Sequence, residues 1–119
     1  MTLRELLRRQ WQDYARNHQD PLNLLIHFLA APLFIAGCLA LALATAWQSG
    51  SLAITASASI VLSLVLEGVG HRRESHAPAP FASPWDFVRR YFVEQWITFP
   101  AFVLSGGWWR NLSRIGASK

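Results

Sequence analysis

The chain has 119 residues, a net charge of +4 and 52% apolar residues, which bounds it to a single domain. Its lone cysteine, Cys38, excludes an intrachain disulfide and leaves a thiolate zinc site unsupported; it reads as a small apolar filler in a packed helix. Ten of the eleven basic residues are arginine, but they flank apolar segments instead of forming one basic face, which argues against nucleic-acid binding.

Residues 2–17 read as an amphipathic helix. Leu3, Leu6, Leu7, Trp11 and Tyr14 recur at helical spacing with Arg and Gln between them. Such a helix suits the cytoplasmic surface of a membrane, or packing onto the rest of the chain. The segment is too polar for a secretory leader. Asp20 then offers an N-cap, with Pro21 at the first helical position.

Between Asp20 and Glu67 there is no Asp, Glu, Lys or Arg. A spanning helix needs ~20 predominantly apolar residues. Residues 22–47 satisfy this with room for tilt, and residues 52–70 just do. Pro32 should kink the first span, and Trp47 belongs at the far interface. The polar turn around Ser49 closes a hairpin, and Ala53, Ala56, Ser57 and Ser63 give the second span a small-residue surface for close packing. Arg4, Arg8, Arg9 and Arg16 precede the hairpin, Arg72, Arg73, Arg89 and Arg90 follow it, and its turn has no basic residue. Both ends should face the cytoplasm.

Pro78, Pro80 and Pro84 make the following stretch a loop at least in part. Residues 85–104 form a third apolar helix, with charges in its first turns and Pro100 near its end. If it crosses, Arg110, Arg114 and Lys119 end on the outer side, against the charge rule; a re-entrant or tilted helix avoids that conflict. The expected fold is therefore an all-α membrane protein: an amphipathic N-terminal helix, a transmembrane hairpin, and a third spanning or re-entrant helix.

All four histidines, His18, His27, His71 and His76, fall at the proposed cytoplasmic end of the hairpin. His27 lies six residues past Pro21, so ~9 Å into the span. Asn23 and His27 share a helix face, as do Glu67 and His71. Three or four imidazoles with a carboxylate suit Fe, Zn or Mn, and without thiolates non-haem iron is chemically reasonable. An ionisable residue inside a span is a functional-site hypothesis in its own right. Phosphate-loop and nucleophile motifs are absent from the sequence.

At these residues the chain resembles a known family. Tyr14, His18-Gln19-Asp20-Pro21 and His27-Phe28 are similar to the first motif of the small membrane-protein (Mpo-like) family that includes fungal 2-hydroxy fatty acid dioxygenases. Gly70-His71-Arg72-Arg73-Glu74, followed by Pro78-Ala79, resembles its second motif, although Glu74 follows the histidine by three residues where the family pattern has four. The resemblance covers about residues 11–81. It implies an Fe(II)-dependent, membrane-bound oxygenase that uses O2 to remove one carbon from a 2-hydroxy fatty acid. His18, His27, His71 and His76 are then the candidate metal ligands, and Glu74 and Arg73 the candidate catalytic residues. Arg72 or Arg73 would pair with the substrate carboxylate.

Two other readings compete. One is a bis-histidine haem site on His27 and His71, which predicts a Soret band. The other is a non-catalytic lipid-binding or assembly factor, which predicts no stoichiometric metal. An arginine-rich chain without a eukaryotic targeting signal points to a bacterial inner membrane.

Overall fold

The computed structural model describes residues 1–117, and these are helical without strands. Lys119 lies outside the described residues. Helix α1 spans Leu3–Asn17 and starts in a capping box: Thr2 Oγ1 accepts from the Glu5 N–H, and Glu5 Oε2 accepts from the Thr2 N–H. Helix α2 spans Pro21–Ala46, capped by Asp20, whose carboxylate accepts from the Asn23 N–H at 3.0 Å. It runs through Pro32 without interruption. Helix α3 spans Gly50–His71, with Ser49 as its cap.

α2 and α3 pack along each other as the hairpin. Their closest approach is at Gly37, where a Cβ would press on Ile60 and the Ala56 carbonyl, and Ala56 and Ser63 are both buried. The outward faces are bare of protein: Leu29 is 71% exposed and Ile54 73%. Only 33% of the most apolar stretch of α2 and 17% of that of α3 are buried. A core helix of a soluble protein would be mostly covered, so both helices suit a bilayer better than a soluble core.

After the loop at 72–83, Ser83 caps α4 (Pro84–Val93). A π-helical turn, Glu94–Thr98, follows, and α5 (Phe99–Leu104) completes the segment. In the wide turn the Phe99 N–H donates to the Glu94 carbonyl, five residues back. Pro100 at the start of α5 has no N–H to give the Trp96 carbonyl, and the widened turn absorbs that loss without breaking the helix.

This segment runs back down α2. Tyr91 and Phe92 pack on Phe34, Phe99 packs on His27, and Trp108 Nε1 donates to the Leu24 carbonyl at 2.8 Å. Helix α6 (Gly107–Ala117) therefore returns to the end of the hairpin where α1 meets α2. Asn111 secures it there, donating to the carbonyls of Ala15 and His18, both at 2.8 Å. α1 is pinned at its middle, with Gln10 donating to the Arg90 carbonyl and accepting from Thr98. A core of Tyr14, Leu24, Ala31, Phe99 and Phe102 joins α1, α2 and α5 beside the histidines.

Candidate metal centre

Each imidazole arrives from a different element. His18 ends α1, stacked on Tyr14 with ring centroids 3.8 Å apart. His27 projects from the second turn of α2 and is fully buried. His71 is the last residue of α3. The three ring centroids stand 4.7, 5.0 and 4.8 Å apart, forming a triangle.

The backbone fixes how two of these rings face. His18 Nδ1 lies 2.8 Å from the Tyr14 carbonyl and His27 Nδ1 lies 3.0 Å from the Asn23 carbonyl. A carbonyl only accepts, so each Nδ1 carries the proton and each Nε2 turns a lone pair toward the triangle. His18 Nε2, His27 Nε2 and His71 Nδ1 are buried and have no hydrogen-bond partner. Buried nitrogens of this kind are ordinarily satisfied.

Glu94 closes the group from the first position of the π-helical turn. Its Oε2 lies 3.4 Å from His18 Nε2 and 3.6 Å from His27 Nε2, and Tyr14 donates its phenolic proton to the same oxygen at 2.8 Å. Burial, and then the charge of Glu94, hold the Tyr14 phenol well above its ordinary pKa, so it stays a donor. One ligand atom from each of His18, His27, His71 and Glu94 falls within 4.8 Å of the others. Glu67 stands behind His27, its Oε2 3.7 Å from Nε2, held by Gln95 at 2.8 Å. Two buried carboxylates beside three imidazole lone pairs, with no Lys or Arg among them, make a site that a divalent cation would satisfy. Three nitrogens and one carboxylate oxygen suit Fe, Zn or Mn.

The other sequence candidates lie around this centre. His76 is exposed on the 72–83 loop, its Nδ1 3.3 Å from Ser75 Oγ, outside the cluster. Glu74 accepts from the Gln19 and Asp20 backbone N–H groups and, at 2.6 Å, from Asn23 Nδ2. Arg73 pairs with Asp20 at 2.8 Å. Both clamp the turn between His18 and Pro21 to the end of α3. Glu94 is the ligand candidate that sequence reasoning passed over. Its signal was a lone carboxylate in the run Phe92-Val93-Glu94-Gln95-Trp96, masked by the reading of residues 85–104 as merely charged in its first turns.

The centre opens into a cavity of about 780 Å³ between α1, α3, α4 and the loop at 78–82. Arg90 holds that loop in place, donating to the carbonyls of Ala79 and Pro80 with its guanidinium over the Phe81 ring.

A family model described as Mpo1-like, 2-hydroxy-palmitic acid dioxygenase, matches residues 5–104, a stretch that contains all four members of the cluster. No curated protein and no solved structure matches significantly.

Proposed function

The chain belongs to the Mpo1-like family, and on that premise we propose that it is a membrane-bound, non-haem Fe(II) dioxygenase that shortens 2-hydroxy fatty acids by one carbon with O2. The observation that carries the reading is the set of three buried, unpartnered imidazole nitrogens facing the Glu94 carboxylate at the end of a cavity. His18, His27, His71 and Glu94 would hold the metal, which would supply the one-electron chemistry that makes O2 reactive. The protein's own groups do the rest. The Tyr14 and Asn23 carbonyls keep the two Nε2 lone pairs aimed inward, and Tyr14 O–H orients Glu94. Glu67, held by Gln95, is a second carboxylate next to the site, placed to take or return a proton. Glu74 and Arg73 brace the turn that carries His18.

The bis-histidine haem alternative fits poorly. His18 stands 4.7 Å from His27 and 5.0 Å from His71, in the space a porphyrin would need between axial ligands. We place the protein in a bacterial inner membrane, with the metal centre at the cytoplasmic end of the hairpin. The fatty-acid substrate named by the family suits that setting, since its chain can remain in the lipid.

The test is to purify the protein anaerobically in mild detergent with a His71→Ala variant alongside. One iron per chain without a Soret band, lost in the variant, with O2-dependent release of the one-carbon-shorter acid, is the expected result. No metal above background would sink the metalloenzyme reading and leave a lipid-binding membrane protein.

A further inference from the structure

The cavity does not run between the two helices of the hairpin: its walls come from α1, α3, α4 and the 78–82 loop, and α2 contributes none. Its two sides differ. On the α1 side it meets Arg9, Gln10, Gln12, Asp13 and Asn17; on the other it meets Leu64, Gly68, Phe81, Phe87 and Tyr91. A long hydrocarbon chain gains nothing against the first wall and buries apolar surface against the second.

On that second wall, Leu64, Gly68 and His71 follow at helical spacing and so share one face of α3. The face leads from the candidate ligand His71 one turn to Gly68 and a second to Leu64, about 10 Å along the axis. Because α3 ends at His71, this direction points away from the metal end and into the apolar length of the hairpin. Gly68 interrupts the wall with no side chain, and a Cβ built there meets no atom within 4 Å. The other α3 glycine nearby behaves differently: a Cβ on Gly70 would overlap the Asn23 side chain, so packing alone accounts for it. Packing does not account for Gly68.

We propose that Gly68 is a chain-length-determining residue: the acyl chain of the substrate lies along the α3 face from His71 past Gly68 to Leu64, in the space left by the missing side chain. The proposal rests on the function proposed above. Its head end is at the candidate metal centre, and its tail enters the bilayer along the lipid-facing flank of α3, with Phe87 and Tyr91 of α4 opposite. A larger side chain at 68 therefore competes with the methylenes that pass it, and leaves the first few carbons next to the metal untouched.

The experiment uses the iron-loaded full chain in nanodiscs and measures binding of 2-hydroxy acids of eight and of sixteen carbons, with iron content and thermal melting as controls. Gly68→Leu should keep its iron and its melting point, bind the eight-carbon acid as before, and bind the sixteen-carbon acid at least about tenfold more weakly, the effect of displacing two buried methylenes. Gly68→Ala should give a smaller shift in the same direction. Leu64→Ala should leave the short acid unaffected and should not shorten the preferred chain. Equal affinity loss for both acids, or none for either, in Gly68→Leu would overturn the proposal while the wild-type protein still binds. Should the wild-type protein bind neither acid, the functional reading fails and the proposal with it.

Discussion

Replacing Glu74 by alanine separates a positioning role from a chemical one. Its carboxylate accepts from three donors: the Gln19 N–H at 2.9 Å, the Asp20 N–H at 3.0 Å and Asn23 Nδ2 at 2.6 Å. A hydrogen bond to a charged group contributes ~1.5–3 kcal/mol. Gln19 is exposed and water can replace its acceptor, so the loss should total about 2–4 kcal/mol, below the sum of three full bonds. Freed from this clamp, the turn carrying His18 and the side chain of Asn23, whose carbonyl orients His27, both loosen. Supporting contacts of this type change metal affinity ~10–100-fold. The assay is reversible denaturant unfolding in mixed micelles, run beside a competition titration against an iron chelator. Glu74→Gln, which keeps one acceptor oxygen, should recover part of both losses. Unchanged stability and unchanged iron affinity in Glu74→Ala, with turnover abolished, would refute the reasoning and return Glu74 to the reaction itself.

Tyr14→Phe keeps the stack on His18 but removes the proton donated to Glu94, so iron affinity should fall about tenfold with little change in melting temperature, read by the same titration. Burial raises the Asp20 carboxyl, but the hydrogen bonds from Arg73 and the Asn23 N–H outweigh it and leave its pKa lowered. Its stabilisation should therefore be complete above the ordinary aspartate value of ~3.9 and drain away as pH falls through the lower folded value; an acid melt of Asp20→Asn should lack that component. Gly70→Ala would push a methyl into the Asn23 side chain, and calorimetry in detergent should show a loss of ~1–3 kcal/mol with weakened iron binding.

The hairpin was legible because its signals are local. Asp20-Pro21 starts a helix by capping, and an uncharged tract of this length has few soluble alternatives. The convergence of His18, His27 and His71 followed from hairpin topology, since two long antiparallel helices return their ends to one place. His76 satisfied the same argument and yet lies outside the cluster, because the prolines around it carry the loop out to solvent. Glu94 was hidden for the opposite reason. Its approach to the histidines depends on how α4 and α5 fold back along α2, a tertiary fact with no sequence period. Arg73 and Glu74 were legible as important and not as braces, because their partners, Asp20 and the Gln19 backbone, lie more than fifty residues away along the chain.

The wide turn at Glu94–Thr98 amounts to one residue too many for a regular α-helix, and it ties two distant parts of the chain to a shared register. An α-helix turns about 100° per residue, so deleting a single residue here would straighten the segment and swing everything after it by that angle. Glu94 would keep its place among the imidazoles, but Phe99, Phe102 and Asn111 would leave theirs, and the carbonyls of Ala15 and His18 would lose their donor. Length variation in this stretch is therefore expected only as paired changes, one residue removed and one restored before Asn111.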